Sequence, residues 1–369
     1  MAPLSWIRTA RVWGRTSVPL ANFLAAGSIA LVTAILALVV EDAVPLHGSP
    51  EASPWRLAAL GGSLLLLWLV LSHRTSTYQR TGTLFYVRTL ASSMEDWHAD
   101  AVSARHRYQM SLRSVTPWID LSQRSATDVV DLVGTCASTS ATLNLLINTD
   151  RDDTGYTLAP NMLWPVALAI GANLPTVPDL QLLELDGPGV HASNGSNEVI
   201  WKLPAQPPPP GLVERELITS GPISVDGPRP GATRVGVMLA FSRKATEMDL
   251  PGVFRGFGVR EYHVIRPHKV GPDLRELAAK QFGAQQLMVL TQVLPREFAR
   301  LTTEVGNREL VVAAALPKTL ALALGWGLAQ VGCAFFTDTH FVLFNGCGKP
   351  FLPVRVHPAQ PAQSPIETG

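Results

Sequence analysis

From Thr16 to Val40 the chain carries no Asp, Glu, Lys or Arg, and its core, FLAAGSIALVTAILALVV from Phe23, is apolar on every face of a helix. About 20 such residues cross the hydrocarbon of a bilayer, where a helix satisfies its own backbone hydrogen bonds. A second uncharged run, LAALGGSLLLLWLVLS from Leu57 to Ser72, is slightly short. Trp55 and Arg56 at one end and His73 and Arg74 at the other extend it by snorkelling, so it reads as a second span. Composition agrees: the chain is 47% hydrophobic and 16% charged, against about 25% charged in a soluble domain.

Arg8, Arg11 and Arg15 precede the first span, Glu41, Asp42 and Glu51 lie between the two, and Arg74, Arg80 and Arg88 follow the second. The positive-inside rule puts both flanks in the cytoplasm and the short connection outside. A cleaved signal peptide is the alternative, but the apolar stretch is too long and no convincing A-x-A site follows it. Ala26, Ala30 and Ala34, with Gly61, Gly62 and Ser63 in the second span, allow close helix–helix approach in lipid, although Ala and Gly are also simply common there. Cys136, Cys333 and Cys347 lack metal-ligand spacing and fit thiols in a reducing compartment. A net charge of +1 supplies no long-range field for DNA or RNA, so an anionic ligand must be held locally.

The remainder reads as an α/β domain. Expected strands are 142–148, 181–185, 234–241, 262–265, 310–315 and 334–344; expected helices are 125–137, 164–171, 272–303 and 318–330. The boundaries that follow are 1–76 for the membrane pair (spans at about 17–40 and 55–73), 77–112 for a connecting helix and 113–203 for a first lobe. A Pro/Gly-rich connection at 204–230, a second lobe at 231–356 and a disordered tail at 357–369 complete the division. Each lobe holds a similar phrase, LAPNMLWPVALAIGANL from Leu158 and ALPKTLALALGWGL from Ala315, which pairs Pro160 with Pro317 and Gly171 with Gly325. If the echo is real, two related lobes face each other with helix starts at Asn161 and Lys318 near a shared cleft; Ala/Leu helices also look alike by chance. A helix start offers backbone N–H groups to a phosphate, and Lys318 and Thr319 add a cation and a hydroxyl.

No P-loop, dinucleotide-binding, esterase, zincin or paired C-x-x-C motif is present, so the sequence advertises no enzyme. Asp150, Asp152 and Asp153 read as loop and cap residues, with a metal or acid–base role as the alternative. Ser242, Arg243 and Lys244 follow a strand at the end where open α/β sheets hold ligands. Arg266, flanked by His263 and His268, is a further phosphate candidate. Trp201 with Lys202, and Trp164, offer stacking faces and a nearby ammonium; burial is the commoner fate of an indole.

The stretch NTDRDDTGYTLAPNMLWPVALAIG from Asn148, WKLPA at Trp201 and AALPKTLALALGWGLAQ from Ala314 resembles the SAVED domain, the cyclic-oligonucleotide sensor of bacterial anti-phage signalling (CBASS). That domain is similar to two fused CARF-like, Rossmann-like lobes. Behind two transmembrane helices it resembles the two-transmembrane SAVED effectors. Trp326 departs from the pattern, which leaves the packing of its helix open. The resemblance implies a sensor without catalytic residues, metal or cofactor. It would be activated by a cyclic di- or trinucleotide from a co-encoded nucleotidyltransferase, and would oligomerise and disrupt the bacterial inner membrane to cause abortive infection. Lys318, Thr319, Ser242, Arg243, Lys244, Arg266, Trp201 and Lys202 are the implied ligand contacts. The competing expectations are a membrane-anchored phosphodiesterase using Asp150, Asp152, Asp153 and His263, and a membrane scaffold that binds only protein.

Overall fold

The computed structural model describes residues 18–43, 54–80, 82–122, 128–150, 155–177, 180–185, 198–203, 216–227, 232–242, 245, 248–268, 282–344 and 351–365. The chain divides into two compact units. The first contains the N-terminal helices as far as Thr83, with residues 105–111 and 155–156, and so takes in the first residue of three strands; the second holds the rest.

Helices α1 (Val18–Ala43) and α2 (Pro54–Arg80) form an antiparallel hairpin. Arg74 donates to the Asn22 carboxamide at 2.9 Å near one end, and Arg56 donates to the Leu38 carbonyl at 3.2 Å near the other. Ala21, Ala25 and Ser28 of α1 and Ser63 of α2 are buried in the seam, a spacing of four and three that suits left-handed helix packing. Almost everything else on both helices faces outward, with Phe23 75% and Trp55 and Trp68 each 63% exposed. Both helices are long and apolar enough to cross a membrane. Ala26, Ala30 and Ala34 lie on the outward side, so the seam between α1 and α2 is built from other residues.

In chain order the second unit is built from β1 (Thr83–Ala91), α3 (His98–Tyr108), β2 (Ser111–Val115), β3 (Trp118–Ile119), β4 (Val130–Asp131), α4 (Val133–Asn148), β5 (Tyr156–Met162), α5 (Trp164–Ala172), β6 (Gln181–Glu184) and β7 (Val199–Lys202). It continues with β8 (Leu217–Thr219), β9 (Ile223–Ser224), β10 (Arg234–Ala240), α6 (Leu250–Gly256), β11 (Val259–Pro267), α7 (Ala284–Val305), β12 (Leu310–Ala315), α8 (Lys318–Gln330), β13 (Thr339–Phe344) and β14 (Phe351–Arg355). The fold is α/β, as the alternation of apolar runs implies. One sheet has the order β2-β1-β5-β6-β7, with β3 beside β1; the other has the order β4-β14-β13-β12-β10-β11-β8, with β9 beside β11.

Strands β13, β12, β10 and β11 are parallel, and runs such as LVVAAA in β12 are buried throughout because helices cover the sheet. From β10 the chain crosses through α6 to β11 on one side, then returns through α7 to β12 on the other and continues through α8 to β13. The winding therefore reverses between β10 and β12. At such a switch point the carboxyl ends of the strands open a crevice.

Several expectations need correction. The connecting helix at 77–112 is instead the end of α2, then β1, α3 and the start of β2. TLFYVRTLA is rich in β-branched and aromatic residues, and all nine are buried as a strand. The expected strand at 142–148 is the second half of α4, with Leu143 and Ile147 buried at helical spacing. Pro160 is not at a helix start: it lies in β5, beyond the two residues that pair with β6, where a missing N–H is tolerated. The lobes also exchange sequence, since β4 pairs with β14 and Arg355 binds Asp131 at 2.9 Å. The tail expected to be disordered is packed as far as residue 365. His357 stacks on Phe336 at 4.2 Å, Gln360 caps the Val356 and His357 amides, and the Pro365 carbonyl accepts from Arg234.

The internal echo has a structural counterpart. Helices α5 and α8 cross at reciprocal glycines: a Cβ on Gly171 would overlap the Leu322 carbonyl oxygen, and one on Gly325 would overlap the Leu168 carbonyl oxygen. Each contact is made three residues before the partner glycine, so the two phrases meet as near-equivalents, and Trp164 takes the place of Lys318. Gly327 instead leaves room for the side-chain ring of Pro295 of α7. Gly171→Ala or Gly325→Ala is expected to destabilise the fold by about 3 kcal/mol, as backbone cannot yield like a side chain. Gly134→Ala, with open space around it, should be neutral or mildly stabilising. Urea unfolding of the three variants checks the contrast.

Candidate functional site

The crevice predicted by the winding is present. A half-open cleft of about 500 Å³ is lined by the ends of four strands, the segments that leave them and residues beyond a fifth. Leu90, Met94, Glu95 and Trp97 come from the β1 side; Met162, Leu163 and Trp164 from the β5–α5 junction; Ser242 and Met248 from beyond β10; Ala314, Ala315, Leu316 and Lys318 from the β12–α8 junction; and Leu343 and Phe344 from β13. Because α5 and α8 are clamped at their glycines, both helix starts open onto this one space.

Lys318 is the cation among its described lining residues. The ammonium sits 3.1 Å from the centroid of the Trp97 ring and donates to the Asn161 carboxamide oxygen. Asn161 is fully buried on β5, and its amide nitrogen donates to the Tyr86 hydroxyl at 2.9 Å and to the Glu95 carbonyl at 3.4 Å. Tyr86 in turn donates to Asp96 at 2.5 Å, and Arg88 binds the other oxygen of the same carboxylate at 2.6 Å while lying 3.6 Å over the Trp118 ring. A continuous chain therefore runs from the cleft cation to the 95–97 loop. Residues Tyr86 and Arg88 share one face of β1 because they are two apart.

Charge is distributed unevenly along that chain. Burial, reinforced by the bond to Asp96, raises the Tyr86 phenol above its ordinary value, so it stays a donor. Burial works against ionisation of Asp96, but the Tyr86 and Arg88 hydrogen bonds and the Arg88 charge outweigh it, and the carboxyl is lowered. At the start of α8, Glu184 takes up first-turn hydrogen bonds. Its carboxylate accepts the Thr319 N–H at 3.0 Å and the Thr319 hydroxyl. Burial raises the Glu184 carboxyl despite the opposing Thr319 bonds and Lys318 charge.

The other sequence candidates are dispersed. Lys318, Ser242 and Trp164 line the cleft. Thr319 is completely buried and held by Glu184. Trp201, 3% exposed on β7, is a core residue rather than a stacking platform, and Lys202 beside it is exposed. Arg266 pairs in register with Ile218 of β8 and is not among the lining residues. Arg243 and Lys244 lie outside the described residues.

Asp150 binds Arg113 at 3.0 Å on the first sheet's side, whereas His263 lies on β11 of the other sheet against the Ser220 carbonyl. Asp152, Asp153 and Cys347 are outside the described residues, among which no cluster of His, Cys, Asp or Glu could hold a metal. Burial pushes the Cys136 thiol up to about 12. Trp97, Tyr86, Asp96 and Glu184 were not singled out from sequence. The alternation of Tyr86 and Arg88 along one strand is the available signal.

No family profile and no curated protein matches the sequence. Among solved structures the chain is similar to an Acinetobacter baumannii Cap4 SAVED/CARF-domain containing receptor with the cyclic trinucleotide 3'3'3'-cAAA, at 11% identity and a TM-score of 0.39. That match covers 82% of this chain and 58% of the receptor. The Moraxella osloensis Cap4 SAVED/CARF-domain containing receptor is similar at 9% identity and a TM-score of 0.34, over 81% of this chain and 60% of the receptor. The chain thus spans less than two thirds of the length of either.

The lowered carboxyl of Asp96 sets a pH dependence. Its contribution is present above the unfolded carboxyl value of about 4 and is lost as pH falls through the lower folded value. Asp96→Asn is therefore expected to be less stable than wild type at neutral pH and to show a shallower loss below about pH 4. Thermal melts of both proteins at stepped pH check this.

Proposed function

We propose that the chain is a membrane effector whose α/β unit binds a cyclic di- or trinucleotide in the cleft between the β12–α8 and β5–α5 junctions. The observation that carries this reading is the Lys318 ammonium, held by Asn161 and Trp97 at the switch point of the sheet. A cation on one indole ring, in a cleft that a second indole also lines, suits a ligand that joins phosphate to purine or pyrimidine faces. The sequence resemblance to SAVED domains supports the same ligand class.

The hairpin supplies the output. Its exposed perimeter of Phe, Trp and Leu suits lipid, and the flanking arginines suit a cytoplasmic location of the α/β unit and both termini in a bacterial inner membrane. The ligand, made by a co-encoded nucleotidyltransferase on phage infection, favours an assembled state. Assembly brings hairpins together through small outward residues such as Ala26, Ala30 and Ala34, and the membrane fails. This requires the ligand to bind the assembled state more tightly than the free one; a 1:99 to 99:1 shift needs about 10⁴-fold preference. The reading assigns no catalytic residue, metal or cofactor.

The full chain in lipid nanodiscs, titrated calorimetrically with a panel of cyclic di- and trinucleotides, is expected to bind at least one member. Lys318→Ala should weaken that binding by about tenfold or more, since a hydrogen bond to a charged group is worth roughly 1.5–3 kcal/mol. In dye-loaded vesicles the same ligand should release dye only from protein-bearing membranes. Binding without release would leave a sensor and remove the membrane-disruption step. Hydrolysis of the ligand, lost in Asp150→Ala, would establish the phosphodiesterase instead, and no binding by any member would favour a scaffold.

A further inference from the structure

The two helix starts that open onto the cleft are not alike. That of α8 already holds an internal acceptor, the Glu184 carboxyl, on the Thr319 amide and hydroxyl. That of α5 holds none among the described residues: its N-cap residue, Leu163, has no side chain able to accept, and no side-chain cap hydrogen bond is formed. Pro165 lies in its first turn and removes one amide, which leaves those of Trp164 and Val166 as first-turn donors without an intrahelical acceptor. A second, independent feature points the same way. Trp164 lines the cleft and is only 8% exposed, and its indole N–H has no hydrogen-bond acceptor among the described residues. A buried orphan donor at a helix start that lacks its anion marks a place for an acceptor to enter.

We propose that the phosphate subsite of the cleft is the start of α5, with the Trp164 indole N–H as donor, and not the start of α8. Lys318 supplies positive charge from the opposite junction, and Glu184, by filling the α8 start, excludes a phosphate there and sets a single orientation of the ligand. The inference rests on the nucleotide-binding reading above, and narrows it to an anion placed asymmetrically across two near-equivalent junctions.

Trp201 provides an internal control, because its indole N–H is also buried without an acceptor but does not line the cleft. The test is the indole ¹H–¹⁵N spectrum of full-length protein in nanodiscs, with the nine tryptophans ¹⁵N-labelled and the Trp164 and Trp201 signals assigned from Trp164→Phe and Trp201→Phe. Inorganic phosphate and 3'3'3'-cAAA are the probes. The expected result is a downfield shift of the Trp164 signal with both probes and none of Trp201, together with about tenfold weaker 3'3'3'-cAAA binding in Trp164→Phe and unchanged binding in Trp201→Phe. Binding of 3'3'3'-cAAA that leaves the Trp164 signal and the Trp164→Phe affinity unchanged would overturn the subsite and leave the nucleotide reading intact. Equal movement of both signals would also overturn it, as a general rearrangement. Failure of both probes to bind, in a chain whose spectrum is otherwise that of the folded protein, would overturn the subsite; failure of every cyclic nucleotide in the panel would remove the reading beneath it.

Discussion

The α/β unit is organised around the crossing of α5 and α8, where Gly171 and Gly325 each let the partner's backbone carbonyl approach to a distance no side chain permits. Helix packing this close is set by backbone rather than by adjustable side chains, so it fixes the two strand–helix junctions relative to each other. Everything chemically notable follows from that. The β12 end delivers Lys318, the β5 end delivers Asn161 and Trp164, and the three meet because the helices behind them are pinned.

The polar groups at this place are costly to bury, and the network shows how the cost is offset. Asn161 has no exposed surface, yet each end of its carboxamide is used: the oxygen by Lys318 and the nitrogen by Tyr86 and the Glu95 carbonyl. Asp96 accepts from Tyr86, Arg88 and the His98 amide, which anchors the loop carrying Trp97 over the Lys318 ammonium. The cation is thus restrained from both strand and loop before any ligand arrives. Such preorganisation reduces the ordering cost of binding.

Much of this was legible in residue order, and the gaps have specific causes. The two apolar runs gave the hairpin because length and the absence of charge are strong signals in lipid. The β12–α8 phrase gave its strand and helix to the residue, since a small apolar run, a Pro and an Ala/Leu body agree with one another. The β5–α5 phrase was harder, because Pro160 mimics a helix-start proline while sitting in a strand past its ladder. β1 was missed because Arg88, Tyr86 and Thr89 make a polar-looking segment, and only tertiary partners such as Asp96 and Trp118 explain their burial. Trp201 beside Lys202 has the local look of a stacking platform, yet its ring takes the commoner fate of an indole and is core. Neither Glu184 nor Trp97 carries any local mark of its role; each is defined by a residue more than a hundred positions away.

The pairing of near-equivalent junctions also explains why this cleft need not treat its two sides alike. In the glycine-anchored correspondence Trp164 stands where the other copy has Lys318, so one junction offers an indole and the other an ammonium. Glu184 has no need of a ligand to satisfy the α8 amides, and its raised carboxyl pKa reflects burial rather than a missing counter-charge. The symmetry of the scaffold brings two helix starts together, and the differences between the copies decide which of them remains available to an anion.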